Sequence, residues 1–376
     1  MRRIVTSPVE TTKRSMIQVL DLLGSSDPRH VIDRAVQALT AGSLVALPAD
    51  TSYVTVGLSA NRSAEERLSR TADSRVITSL LFDSRESAGE YLPALSLLEE
   101  RFVRRCWPGP VVLRFAEIES DDSGSEQIVS SFLIPESPVT RELIGLLPGP
   151  LAAQIPVQPE AAVGTPSAYV EASGDEVDLL IDGGPLTANQ SPSVVDLDKT
   201  GWRIAHEGAV DAATLARYAC HTLLFVCTGN TCRSPMAEAI FRKLLAERLE
   251  CAPEELVARG FRVMSAGLSA APQLPASPEA AQMMSNWNLS LKEHRSQPVT
   301  TALLAQADTI ITMTEHHRSM ILDYDMTLRD RVRTLASSGV DVSDPFGGSL
   351  QEYEECALQI TRYVEEIIDE ITPAGR

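Results

Sequence analysis

Cationic charge is scarce in this chain. Its 376 residues carry 33 Lys and Arg against 51 Asp and Glu, a net charge of −18. Residues 1–220 hold 19 cationic against 30 anionic side chains (−11), and residues 221–376 hold 14 against 21 (−7). A surface of this sign repels phosphate backbones, so no nucleic-acid-binding face is expected, while a nucleotide pocket stays open. Cysteine is also sparse. The six thiols (Cys106, Cys220, Cys227, Cys232, Cys251 and Cys356) do not make a disulfide framework. None has the spacing of a zinc site, so neither metal nor cofactor is expected. No apolar run is long enough to span a membrane, and no apolar core follows Arg2 and Arg3 as in a signal peptide. A cytoplasmic chain with no membrane partner is therefore expected.

Apolar residues make up 44 %, which suffices for real cores, and the length suits two domains. Residues 1–15 are polar and expected to be flexible. Residues 16–215 mix short strands with helices. Helical periodicity is read near Ile17, over His30–Ala41, Ser63–Arg70, Ala88–Phe102 and Thr140–Leu147. Strands are read at Ser43–Pro48, Val76–Phe82, Val111–Phe115, Ile128–Ile134, Gly149–Gln154, Leu179–Gly184, Ser193–Asp196 and Trp202–Ile204. Glu117–Glu126 reads as a polar loop. This pattern predicts a mixed α/β domain.

A second domain, 221–376, alternates more regularly. Strands at 222–226, 260–265, 308–312 and near 331–335 are separated by helices at 235–249, 277–287, 299–305 and 316–322, and a helix at 349–371 closes the chain. Repeated βα units predict a doubly wound, four-stranded parallel sheet with its chemistry at the carboxyl ends of the strands.

One stretch carries that chemistry. Leu223–Val226 is apolar enough for a buried strand, and Cys227-Thr228-Gly229-Asn230-Thr231-Cys232-Arg233-Ser234 follows, with Pro235 suited to the first turn of a helix. Loop amides converging at a helix N-terminus form an anion site. A cysteine in such positive potential favours its thiolate, the form that attacks phosphorus. Phosphoryl transfer to it needs an oxyanion cradle, a fixed cation and a proton donor. Thr228, Gly229, Asn230, Thr231, Cys232, Arg233 and Ser234 are the cradle. Arg233 is the bidentate cation, and Ser234 can donate its hydroxyl to the thiolate. Asp344, in Asp344-Pro345-Phe346-Gly347-Gly348, is the proton donor. Cys232 is a redox residue, able to pair with Cys227 on oxidation. His294, His316 and His317 are read as surface or supporting groups.

Residues 221–372 resemble the low-molecular-weight protein phosphatase family, through VCTGNTCRSPMAE at 226–238, SAG at 265–267, ADTIITMTEHH at 307–317 and DPFGG at 344–348. The resemblance implies a protein phosphatase in which Cys227 is the nucleophile, Arg233 binds phosphate and Asp344 is the general acid. Asn230 and Ser234 would orient loop and thiolate. Thr231 and Phe346 resemble the bacterial protein arginine phosphatases, whereas tyrosine phosphatases commonly carry an apolar residue and a tyrosine there. A phosphoarginine protein substrate is thus expected ahead of phosphotyrosine. Arsenate reductases share the fold but need resolving cysteines near Asp344, where none stands.

Residues 28–212 resemble the YrdC-like threonylcarbamoyl-AMP synthase family, through LPADTSY at 47–53, WPGPVVL at 107–113, LLIDGG at 179–184, SVVD at 193–196 and EGAV at 207–210. That family joins ATP, threonine and bicarbonate for tRNA modification. Here Ala49 replaces a threonine, Arg70 and Arg75 are wrongly spaced for a Lys-x-Arg pair, Gln154-Ile155-Pro156 replaces Ser-x-Asn, and His206 replaces an arginine. The expectation is a retained fold with lost synthase activity, serving as a nucleotide-sensing or docking module. The alternative is a bifunctional enzyme.

Overall fold

The computed structural model describes residues 17–121, 124–158, 161–173, 176–186, 190–199 and 201–372, without side chains for 117–128. The expected flexible segment 1–15 lies outside them. The chain divides into two compact units at Ala212/Ala213.

Among the described residues, the first unit is built on one mixed sheet of ten strands. These are β1 (Gln18–Asp21), β2 (Val45–Ala49), β3 (Ser52–Leu58), β4 (Val76–Leu81), β5 (Val111–Asp121), β6 (Gly124–Leu133), β7 (Leu151–Pro156), β8 (Leu179–Asp182), β9 (Ser193–Asp198) and β10 (Gly201–His206). Their spatial order is β1-β8-β2-β3-β7-β4-β6-β5-β9-β10. The helices are α1 (Pro28–Thr40), α2 (Arg62–Thr71), α3 (Arg85–Gly89), α4 (Leu97–Cys106), α5 (Pro138–Gly145) and α6 (Pro166–Ser173). Helix α1 begins where Asp27 accepts the amides of Arg29 and His30, with Pro28 preset for the first turn. It lays Val31, Ile32, Ala35 and Leu39 on the buried residues of β2, β3 and β7.

Several expectations are corrected here. The segment near Ile17 is strand β1, paired in parallel with β8, because pairing outweighs local periodicity. Ala88–Phe102 is two helices. Pro93 interrupts the run, and Ser96 restarts it with a capping box closed by Glu99. The polar Glu117–Glu126 segment belongs to the β5–β6 hairpin apart from residues 122–123, which lie outside the described residues. Helix α6 was not foreseen in the sequence.

The second unit opens with α7 (Ala212–Ala219) and has a four-stranded, wholly parallel sheet. Its strands are β11 (His221–Cys227), β12 (Phe261–Gly267), β13 (Thr309–Thr312) and β14 (Val332–Thr334), in the order β12-β11-β13-β14. Its further helices are α8 (Arg233–Arg248), α9 (Pro278–Asn286), α10 (Thr301–Gln306), α11 (Glu315–Tyr324) and α12 (Leu350–Ile371). Alternate residues of β11 serve opposite cores. Leu223 and Phe225 join Met236, Phe241, Ile360 and Val364 of α8 and α12. Leu224 and Val226 join Leu304, Ile310 and Ile321 on the other face. A strand buried on both faces must be apolar throughout, which is why the run is unbroken. Helix α8 starts at Arg233, two residues before the position expected from Pro235.

Candidate active site

Cys227 ends the inner strand β11, where side chains on the carboxyl edge face the connections to the following helices. The chain must turn from strand to helix within five residues, Thr228–Cys232. It does so through Asn230, which holds the left-handed conformation at φ 55°. Asparagine tolerates that region better than other non-glycine residues.

The turn is clamped from outside. The carbonyls of Cys227 and Thr228 accept the amides of Leu268 and Ser269, each at 2.9 Å, and that of Thr231 accepts the amide of Ser277 at 2.8 Å. The carbonyl of Asn230 lies 2.8 Å from His294 Nε2. With its carbonyls held outward, the loop leaves the amides of Gly229, Thr231 and Cys232 without an acceptor among the described residues. These donors and the N-terminus of α8 make one electropositive seat.

Asn230 is fully buried and ties the loop together. Its Nδ2 donates to Ser234 Oγ and Ser265 Oγ, both at 2.9 Å, and its Oδ1 accepts the amide of Gln297 at 3.0 Å. Ser265 Oγ donates in turn to Glu238 Oε2 at 2.7 Å, and burial raises the Glu238 carboxyl above its ordinary range. Gly267 completes the support. A Cβ there would stand 2.5 Å from the carbonyl oxygen of Thr228 and 2.8 Å from the amide nitrogen of Asn230, so only glycine lets β12 touch the loop.

The thiol sits at the floor. Cys227 Sγ lies 2.9 Å from Ser234 Oγ and accepts the Asn230 amide at 3.2 Å. Arg233 is buried, and its NH2 donates to Asp344 Oδ2 at 2.6 Å, with Asp344 half-exposed. Asp344 also accepts the amide of Phe346 at 3.3 Å, which folds Asp344-Pro345-Phe346 back on itself. The Phe346 ring stands out, 77 % exposed. Cys227, Thr228, Gly229, Thr231, Cys232, Arg233, Asp344 and Phe346 line one cavity of about 230 Å³. The expected nucleophile, cradle, cation, acid and selector positions therefore meet in one place, while Asn230 and Ser234 lie behind the wall. Cys232 is buried with Sγ 3.3 Å from both Ser277 Oγ and Tyr353 OH.

His317, read as a surface or supporting group, is buried and reaches the loop, with Nε2 2.9 Å from Thr228 Oγ1 and Nδ1 2.9 Å from Thr314 Oγ1. Burial, and then the nearby Arg233 charge, bring its pKa down to about 4, so it is neutral at ordinary pH. His294, also read as a surface or supporting group, supports the loop through the Asn230 carbonyl, and so does Gln297, which nothing in the sequence singled out. Among the described residues, no cluster of three or more His, Cys, Asp or Glu is placed to hold a metal ion. No helix among them is long and apolar enough to cross a membrane.

In the first unit, the segment Ala49–Ser52 lines a pocket of only about 10 Å³, shared with Pro110, Leu133, Ile155 and Pro192. Asp50 is engaged with the amides of Glu136 (2.8 Å) and Ser137 (3.1 Å), and Thr140 Oγ1 donates to the carbonyl of Pro48 at 2.7 Å.

A family model described as low molecular weight phosphotyrosine protein phosphatase matches residues 222–374, and one described as telomere recombination (Sua5/YciO/YrdC) matches residues 37–208. A protein-arginine-phosphatase of Bacillus subtilis (strain 168) is 38 % identical over 153 residues, which are 40 % of this chain and 95 % of that protein. A probable low molecular weight protein-tyrosine-phosphatase, EpsP of Ralstonia nicotianae, is 32 % identical over 155 residues, 41 % of this chain and 98 % of that one. The solved YwlE arginine phosphatase from Geobacillus stearothermophilus is 30 % identical and covers 40 % of this chain and 92 % of its own, with a TM-score of 0.35.

Proposed function

The chain belongs, through residues 222–374, to the low-molecular-weight protein phosphatase family, and from that premise we propose that it is a cysteine-dependent protein phosphatase acting on phosphoarginine. The observation that carries this reading is the single pocket in which the Cys227 thiol, Arg233 and Asp344 face one another. Both a protein-arginine-phosphatase and a protein-tyrosine-phosphatase stand among the relatives, and Thr231 and Phe346 favour the former.

The geometry suggests the course of the reaction. A phosphoryl group seated on the loop amides draws the Arg233 guanidinium to its oxygens, a bidentate contact that competes with Asp344. Asp344 is thereby released toward the leaving group. Cys227 Sγ attacks phosphorus, an S–P bond forms and the P–N bond breaks. The Asp344 carboxyl gives its proton to the departing guanidine nitrogen. Water then attacks the phosphocysteine, Asp344 takes a proton from that water, and the S–P bond breaks to return the thiolate and inorganic phosphate. Phe346 offers an aromatic face on which a planar guanidinium can lie.

Phosphate release from phosphoarginine and phosphotyrosine peptides, measured side by side, tests the reading. Cys227→Ser should abolish both activities, and retained turnover would sink it. Thr231→Ile should shift preference toward phosphotyrosine, and an unchanged preference would remove Thr231 as selector.

For the first unit we propose a retained fold without synthase activity. The pocket that Ala49–Ser52 line, about 10 Å³, has room for roughly one water. Pyrophosphate released by the full chain from ATP, threonine and bicarbonate would overturn this.

A further inference from the structure

Granted the phosphatase reading, we infer that the Thr228 side-chain hydroxyl is a hydrogen-bond donor to the phosphoryl group, and that His317 is the residue positioning it. The chain of contacts runs from the start of α11 into the pocket. Thr314 caps that helix and accepts the His317 amide at Oγ1, 3.2 Å away. Its own proton is then directed to the other close partner, His317 Nδ1, at 2.9 Å. A ring nitrogen that accepts carries no proton, so in the neutral imidazole the proton sits on Nε2. Nε2 faces Thr228 Oγ1 at 2.9 Å and donates to it. The long approach of Arg233 NH2, 3.5 Å from the same oxygen, is also that of a donor.

Thr228 Oγ1 is therefore met by donors on two sides, and its proton must point elsewhere. Thr228 lines the cavity that holds Cys227, Arg233 and Asp344, and a phosphoryl oxygen is the acceptor that cavity is built for. The imidazole is held neutral by burial and by the Arg233 charge, so the relay keeps one direction through ordinary pH. Thr228 thus touches substrate through its hydroxyl, beyond its place in the amide cradle. His317 acts only through Thr228, and the residue behind it, Thr314, selects the tautomer.

The test uses the full chain, with inorganic phosphate as the ligand and phosphoarginine and phosphotyrosine peptides as substrates. A hydrogen bond to a charged group corresponds to about tenfold or more in affinity. Thr228→Val should weaken phosphate binding and kcat/KM about tenfold or more, while Thr228→Ser, which keeps the hydroxyl, stays within about threefold of wild type. His317→Leu should reproduce most of the Thr228→Val loss, and His317→Gln, which retains an N–H donor, should recover most of it. In the Thr228→Val background, His317→Leu should add less than about twofold, because partners in one chain are not additive. A Thr228→Val protein that binds phosphate like wild type overturns the assignment of the hydroxyl. A His317→Leu loss of equal size in both backgrounds overturns the positioning role and leaves His317 as packing alone. If the wild-type chain turns over neither substrate, the phosphatase reading fails. The phosphate-binding ratios then still decide whether the hydroxyl donates.

Discussion

Asn230 is the residue through which the loop's shape can be tested most directly. Its side chain makes three buried hydrogen bonds, to Ser234, Ser265 and the Gln297 amide, while its backbone sits at φ 55°. Alanine removes all three bonds and tolerates the left-handed backbone less well than asparagine does. Glycine removes the same bonds but relieves the backbone. At about 1 kcal/mol per buried hydrogen bond, either change costs about 3 kcal/mol. Alanine adds about 1 kcal/mol for a left-handed residue. Asn230→Ala should therefore lose about 4 kcal/mol and Asn230→Gly about 3. For a unit of this size, these losses lower the melting temperature by about 8–16 °C for alanine and somewhat less for glycine. The assay is calorimetric unfolding of the full chain, reading the transition that inorganic phosphate raises. Turnover should fall at least about 100-fold in both variants, since the Asn230 amide is the one held 3.2 Å from the Cys227 sulfur, the proposed nucleophile. Two results would refute the reasoning. Equal stability of the two variants would show that the left-handed backbone carries no strain. A loss below about 1 kcal/mol in both would show that the side chain does not clamp the loop.

Three further outcomes are expected. Gly267→Ala places a methyl group against two loop backbone atoms that cannot move aside. It should cut kcat/KM about 100-fold while the chain still folds, as read by kinetics together with circular dichroism. Asp344→Asn removes the proposed proton donor and weakens its contact with Arg233. It should lower kcat by about 10²–10⁴-fold while inorganic phosphate binds as tightly as before or more tightly, and a kcat within threefold of wild type would remove Asp344 from proton transfer. Finally, His317 binds its proton less readily when folded than when unfolded, because burial holds its pKa down to about 4. The unfolded chain takes up the extra proton as pH falls from about 6.5 to about 4, so this contribution to stability is lost on acidification through that window, by about 2–3 kcal/mol at its end. His317→Leu should flatten that part of the stability profile, and the slope rather than the absolute level is the readout.

The phosphatase unit was legible because its local signals agree with its tertiary structure. The run Leu223–Val226 is apolar throughout because both faces of β11 are covered. Cys227, Arg233 and Ser234 share one loop, so their meeting is enforced by the chain itself. Asp344 could be singled out from a distance only because Asp344-Pro345-Phe346-Gly347 is a rigid turn ahead of a capped helix. The first unit was less legible. Polarity suggested a loop over Glu117–Glu126, where hairpin pairing makes strands, since backbone hydrogen bonds ignore whether exposed side chains are charged. Ala88–Phe102 looked like one helix until Pro93 and the Ser96 cap are weighed as a break.

By itself, then, the sequence determined the βα alternation, the reactive loop and the chemistry that loop can perform, because each depends on residues adjacent in the chain. The tertiary structure alone decided what holds that loop. Ser265, Gly267, Gln297 and His317 come from other segments, and no periodicity marks a side chain that will bond across a sheet edge. It also decided the protonation of His317, since burial beside Arg233 is a property of the packed molecule and not of the histidine. The small volume around Asp50 is of the same kind. It is set by Pro110, Leu133, Ile155 and Pro192, which close on Ala49–Ser52 from distant parts of the chain.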